Sequence, residues 1–362
     1  MRSGVRKTLD NVYDFAEAKY RAFNAYRGAK RRVRSMPDSK KFQKEYRQEI
    51  LPYWKQFGHK PSKVWYQLWC AKTGVADPRY IPDSLWYSHI VPYYSNTRFR
   101  RPFEDKCYHG VWFADCKRPQ TVAMNIAGVF YDQDYKIISL EDALEKCIRH
   151  GRFLIKPSID SGEGRLISFF DRGNATRENI LAAFSEFKAN FVIQEVISQH
   201  PQLSSLNPDS INTIRVISFL YQGEVRILSA ILRVGSPGSR VDNFGAGGCS
   251  CRILDDGRLY HEAVNKKMQW SEISATGIQF QKVRVPAYDR IIEIIKKKHI
   301  QFGHFKLIGW DFGVDAEGEP VFIEFNVCPG QNQEDCGPTF GDLTEEVLKD
   351  VFIHRTCEAN GN

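Results

Sequence analysis

Gly309-Trp310-Asp311-Phe312-Gly313-Val314 and Val321-Phe322-Ile323-Glu324-Phe325-Asn326-Val327-Cys328-Pro329-Gly330 fall on two expected strands, 305–314 and 320–326, that flank the turn Asp315-Ala316-Glu317-Gly318-Glu319. Successive side chains of a strand point to opposite faces. Glu324 and Asn326 should therefore share one face, with Ile323, Phe325 and Val327 on the other. If the strand carrying Asp311 pairs with this one, three hard oxygen donors converge, a set that suits Mg2+. Buried like charges of this kind need a cation to offset their desolvation. The competing reading is a hairpin with an ordinary polar face. A polar pair on an otherwise apolar strand, closed by Pro-Gly, favours the metal.

Working back along the chain, Phe153-Leu154-Ile155-Lys156 is a strand ending in a lysine. The small-residue loop Pro157–Gly164 follows, and then a second strand-like run, Arg165–Phe170. Gly162 and Gly164 would let backbone N–H groups approach phosphate oxygens while Lys156 supplies charge. Many hairpins have such turns, and neither G-x-x-x-x-G-K-[ST] nor G-x-G-x-x-G occurs. Phe191–Ile197 is an apolar strand with Gln194 and Glu195 near its end, a hinge whose backbone can meet an adenine edge; by itself it equally fits a plain core strand.

The remaining pattern predicts an α+β body with largely antiparallel strands. Helices are expected near 40–57, 61–75, 175–189 (after Asn174 as N-cap), 286–299 and 341–355. Further strands are expected at 211–220, 224–234 and 249–254. The expected divisions are a basic helical extension (1–75), a lobe with a first lysine (76–150), a small lobe with the Gly-rich loop (151–200) and a large lobe with the metal-binding strands (201–362). The net charge of +8 is uneven: residues 1–60 hold 16 Lys/Arg against 6 Asp/Glu, and the rest hold 35 against 37. Val5, Leu9, Val12, Ala16, Tyr20 and Phe23 form one apolar stripe of an amphipathic helix, and the same extension contains the basic cluster Lys30-Arg31-Arg32-Val33-Arg34. This region suits an anionic lipid surface, an acidic glycan or partner, or simply a solvated face. No nucleic-acid motif accompanies it. Cys249 and Cys251 could form a metal site with Cys328 and Cys336 as a second pair, but no C-x-x-C occurs, and the nine cysteines read better as reduced, mostly buried thiols. No apolar run reaches membrane-spanning length and the first thirty residues lack a signal-peptide core, so a cytoplasmic protein is expected, with peripheral contact to the inner face of the membrane.

The order of the motifs resembles the ATP-grasp superfamily. Ser198-Gln199-His200-Pro201, Asn212-Thr213-Ile214-Arg215-Val216, Arg233-Val234-Gly235 and Asp242–Gly248 resemble, more narrowly, its sugar-transfer-associated family, over about residues 80–350. The resemblance implies two antiparallel lobes clasping ATP. By position it makes Lys106 and Lys156 the nucleotide lysines, Gly162 and Gly164 part of a closing loop, and Gln194, Glu195, Val196 and Ile197 the adenine hinge. Arg215 would contact the transferred phosphate, and Asp311, Glu324 and Asn326 would hold Mg2+. Arg233 and Asn243 would bind the acyl phosphate or incoming substrate. The implied activity is a carboxylate–amine ligase acting through an acyl phosphate. It would join an amino acid or small amine with a uronic acid or amino sugar in surface-polysaccharide biosynthesis.

Two alternatives are an ATP-grasp kinase acting on a sugar hydroxyl and an inactive nucleotide-binding scaffold. Asp311-Phe312-Gly313 also matches the D-F-G of protein kinases. That fold needs an upstream H-R-D, which is missing, and a Gly-rich loop before its lysine, whereas Gly162 follows Lys156.

Overall fold

The computed structural model describes residues 2–36, 42–72, 74–159, 166–242 and 247–354. Its strands form two antiparallel sheets. The first takes β1 (Thr121–Ile126), β2 (Val129–Tyr131), β3 (Ile137–Ile138), β4 (Phe153–Pro157), β5 (Ser168–Phe170) and β6 (Phe191–Glu195) in the order β3-β2-β1-β6-β4-β5. The second takes β7 (Ile214–Tyr221), β8 (Glu224–Val234), β9 (Cys249–Ile253), β10 (Leu259–Asn265), β11 (Trp270–Ser271), β12 (Leu307–Val314) and β13 (Pro320–Asn326) in the order β11-β10-β9-β8-β7-β12-β13. The first sheet draws strands from both sides of residue 150, where a lobe boundary was expected.

Period-two alternation decides what each sheet presents. On β4, Phe153 and Ile155 are fully buried beneath helices Leu140–His150 and Arg177–Phe187, in a core with Leu144, Cys147, Ile180 and Phe191. Leu154 and Lys156 face the other way, into the space between the sheets. Both helices start on a side-chain cap. Ser139 and Asp142 form a capping box. Thr176, not the expected Asn174, caps Arg177–Phe187, because the Asn174 side chain is spent holding the preceding turn, through Asp171 N and Phe169 O.

In the second sheet, β12 is buried along its whole length. Ile308, Trp310, Phe312 and Val314 pack with Phe322, Phe325 and Val327 against helix Tyr288–His299. The opposite face carries Gly309, Asp311 and Gly313. The expected alternation on β13 fails at one residue. Asp311 pairs with Glu324 but Phe312 pairs with Phe322, so Ile323 is an extra residue in a bulge and lines the cleft beside Glu324. A bulge sets two residues against one and redirects the strand.

The N-terminal region is helical, led by Arg2–Arg34. The side chains of Val5, Leu9 and Val12 in the expected apolar stripe lie outside the described residues, and its Tyr20 and Phe23 are not on the packed face. Ala22, Ala29 and Val33 are buried, whereas Phe15, Tyr20 and Phe23 are 64%, 68% and 56% exposed. The aromatic stretch after it supplies a core of its own: Trp54, Trp65, Tyr66, Trp69 and Trp86 pack with Phe219, Leu307, Phe340 and Leu348. The helical region is thereby joined to the second sheet on the face that carries Arg215 and Asp311, because Phe219 and Leu307 each lie four residues along the strand from those side chains. No helix among the described residues is long and apolar enough to cross a membrane, and the described cysteines are free thiols.

Candidate functional site

A cleft of about 830 Å³ lies between the sheets. Its walls carry Lys106, Lys156, Gln194, Glu195, Val196, Ile197, Arg215, Arg233, Asp311, Glu324 and Asn326 together. Gly162, Gly164 and Asn243 lie outside the described residues.

The floor is a row across three neighbouring strands. Arg215 on β7 stands opposite Asp311 on β12, which stands opposite Glu324 on β13. Arg215 grips Asp311 with two bonds of 2.5 Å, Nε to Oδ1 and Nη2 to Oδ2. Arg233 Nη1 lies 3.7 Å from the same Oδ1. Both members of the fork are buried, at 8% and 3% exposed. Asn326 faces Gly309 across the strand pair. A Cβ at Gly309 would sit 2.9 Å from Pro329 Cβ and 3.6 Å from Arg215 Cδ. The glycine therefore makes room for the arginine and for the turn closing β13.

Two lysines close the electrostatics from the other side. Lys106 Nζ lies 3.1 Å from Glu324 Oε2. Burial and then the Lys106 ammonium push Lys156 down to about 8. Burial would raise Glu324, but Lys106, Lys156 and Arg215 outweigh it and hold its carboxylate below the usual range. Behind the lysines sits His109, pushed down to about 3 by burial and by both of them.

At the hinge, Glu195 is used differently from expectation: its carboxylate accepts from Gln120 N at 2.9 Å and its own N–H donates to Gln120 O. The side chain thus fixes the edge of β6. The backbone of Val196 and Ile197 makes no hydrogen bond to another described residue, so both can serve a ligand at the cleft wall.

Sequence reasoning missed several lining residues, among them Arg240, Arg152 and Asp242. Arg240 stacks 4.4 Å over the Phe169 ring and Arg152 lines the same wall. Asp242 accepts from the N–H and the hydroxyl of Thr213, one residue before the fold turns into β7. Burial raises its carboxyl above the usual range. Of these three, only Asp242 had a signal, its place at the head of Asp242–Gly248.

Residues 114–336 match the family described as sugar-transfer associated ATP-grasp. This chain belongs to that family. No curated protein is significantly similar to it. Solved structures similar to this ATP-grasp protein include the biotin carboxylase domain of a 2-oxoglutarate carboxylase from Hydrogenobacter thermophilus (14% identity, TM-score 0.42, 68% of this chain and 45% of that one). An L-amino acid ligase from Bacillus licheniformis gives 13%, 0.40, 70% and 48%. D-alanyl-alanine synthetase A from Vibrio cholerae gives 11%, 0.40, 69% and 65%. The chain spans about half the length of the first two. At such values the assignment rests on the sequence match.

The cleft residues fit the groups the family implies. Two carboxylates and an amide oxygen form a hard donor set of the kind Mg2+ takes. The Arg215 fork uses two of the roughly four lone-pair sites of Asp311 and leaves the others for a cation. Lys106, Lys156, Arg215 and Arg233 match the charge of a polyphosphate.

Proposed function

We propose that this protein is a Mg-ATP-dependent carboxylate–amine ligase. The observation that carries the reading is the convergence of four cations with Asp311, Glu324 and Asn326 on one cleft between two sheets. Asp311, Glu324 and Asn326 would hold Mg2+, which when bound neutralises phosphate charge. Lys106 and Lys156 hold the phosphate chain, and the backbone of Val196 and Ile197 takes the adenine edge. Bringing a carboxylate to a phosphate sets anion against anion, and Arg215 and Arg233 lie where they lower that cost. Burial of Arg215 strengthens its interactions, and keeping water from that end of the cleft would protect an acyl phosphate from hydrolysis. The family's description points the product toward glycoconjugates, with an amino acid or small amine joined to a uronic acid or amino sugar.

The test supplies uronic acids and amino acids singly and in pairs and follows ADP and phosphate. Release of both only when carboxylate and amine are present together supports the ligase. ADP without free phosphate, and a phosphorylated sugar, would make it a kinase instead. No turnover with any pair, despite nucleotide binding, would leave a scaffold.

A partner surface belongs to the same proposal. The outward face of helix Arg2–Arg34 carries Phe15, Tyr20 and Phe23, then Arg27, Lys30, Arg31 and Arg34, all exposed. An aromatic half running into a cationic half suits the interface of an anionic bilayer.

A further inference from the structure

A second cavity, of about 450 Å³, lies between the N-terminal helix, residues 87–100 and the segment 303–306. Its volume is in the range of small-ligand pockets, about 300–1,000 Å³. Three features mark it. Its lining carries Arg21, Arg98, Arg100 and Lys306 against one carboxylate, Glu17. Glu17 is shared, accepting from Arg21 at 2.9 Å and from Arg100 at 2.8 Å. Glu104 also lies 3.7 Å from Arg100 Nε, so Glu17 and Glu104 together face Arg21 and Arg100, and the cationic excess of the lining comes from Arg98 and Lys306. Tyr87, Tyr93 and Tyr94 add aromatic wall, so the cavity offers apolar faces and charge together.

The cavity also abuts the reaction cleft. Cys328 lines both, and its Sγ lies 3.7 Å from Arg100 Nη1. Cys328 comes two residues after Asn326. One short segment ties the two sites: Arg98 and Arg100 line this cavity, Glu104 accepts from Val327 N at 3.1 Å, and Lys106 pairs with Glu324. Cys328 thus stands where the cavity adjoins the end of the cleft that carries Asn326. Apart from Gly303, His304, Lys306 and Cys328, the walls come from residues before the family's matched region.

We infer that this cavity is the acceptor chamber, binding an anionic sugar, one that bears a carboxylate or a phosphate, alongside the nucleotide. The inference rests on the ligase reading for the word acceptor, while the binding itself does not. The nucleotide has its own cleft and its own lysines, so the two ligands do not compete. The N-terminal helix, by supplying Glu17 and Arg21, makes the chamber specific to chains that carry it.

The test is calorimetric titration of the full chain with D-glucuronate, glucose 1-phosphate, inorganic phosphate and neutral glucose, each with and without saturating non-hydrolysable ATP analogue. The expected result is saturable binding of glucuronate, glucose 1-phosphate or both, undiminished by the analogue, and none of glucose. The two arms separate carboxylate from phosphate recognition. Lys306→Glu, an exposed position that should not disturb folding, should weaken that binding by about tenfold or more, and Lys306→Arg should retain it. Analogue affinity should stay unchanged in both variants. Binding of neutral glucose as tightly, loss of sugar binding when the analogue is present, no binding of any anionic sugar, or an unaltered Lys306→Glu affinity would each overturn the inference. Failure of the analogue to bind at all, with sugar binding intact, would sink the ligase reading and leave the chamber standing.

Discussion

Arg215 and Asp311 face each other across β7 and β12 and are joined by two parallel bonds of 2.5 Å, buried at the centre of the cleft. Removing one partner of a buried pair leaves a charge without compensation, at a cost of about 3–5 kcal/mol, while replacing both is often close to neutral. Arg215→Met should therefore lower the denaturant midpoint strongly, and the double variant Arg215→Met/Asp311→Leu should recover much of the loss. Neither should turn over ATP. Equal destabilisation by the single and double changes would show that the pair is not coupled.

Glu324 lies 3.1 Å from Lys106 and opposite Asp311. Glu324→Ala should leave the far-ultraviolet spectrum intact and reduce ADP release by roughly 10²–10³-fold, the scale of losing one positioned charge. Excess Mg2+ should not restore it. Native turnover by a folded Glu324→Ala protein would remove this residue from the metal assignment.

The low Lys156 value makes a pH signature. In the nucleotide-free protein Lys156 loses its proton at about 8 rather than near 10.5. An unfolded chain keeps that proton over the interval, so the unfolded state binds more protons there and Lys156 makes stability rise with pH across it. A polyphosphate reverses the preference by favouring the ammonium. Nucleotide binding above about pH 8 should take up a proton, visible by calorimetry in buffers of different ionisation enthalpy. Lys156→Arg, charged throughout, should bind without that uptake. Buffer-independent heats in the native protein would contradict the assignment.

Much of this cleft could be read from the chain because its chemistry is local. Asp311, Glu324, Asn326 and Lys156 sit on strands whose period-two pattern points them away from Trp310, Phe325 and Ile155. What could not be read depends on pairing between distant segments. Ile323 joins the cleft wall only because β13 slips by one residue against β12. Glu195 is drawn to Gln120 by the pairing of β6 with β1. Arg240 reaches the wall through the Phe169 ring of the other sheet. The N-terminal helix misled for a related reason. Both of its faces have apolar residues, and only the aromatic core beneath decides that Ala22, Ala29 and Val33 turn inward.

Gly309 and Gly313 lie on the same face of β12 but should tolerate alanine unequally. A methyl at Gly309 meets Pro329 Cβ at 2.9 Å, part of the ring that closes the site, and approaches Arg215. At Gly313 it meets Ile211 Cδ1 at 2.7 Å, the end of a flexible side chain. Overpacking a tight site costs typically about 1–3 kcal/mol. Gly309→Ala should fall in that range and depress turnover, and Gly313→Ala should cost less and spare it. Thermal midpoints with ADP release compare the two directly, and the reverse order would contradict this account of the floor.

Deleting the first 34 residues is a poor test of the outward helix face, because the same helix buries Ala22, Ala29 and Val33 and pairs Arg32 with Glu334 at 2.7 Å. Its loss would open the core beneath. Changes confined to the exposed face avoid this. Each Lys or Arg near an anionic bilayer contributes about 1 kcal/mol, so reversing Arg27, Lys30, Arg31 and Arg34 to Glu should abolish binding to phosphatidylglycerol vesicles. Tyr20→Ser/Phe23→Ser should weaken it by removing the aromatic half. The native chain should float with phosphatidylglycerol, not with phosphatidylcholine, and should be released by salt, since exposed charges are screened within about 10 Å at moderate ionic strength. Turnover on soluble substrates should be unchanged in both variants. Equal flotation of the native and charge-reversed proteins would show that the face is simply solvated.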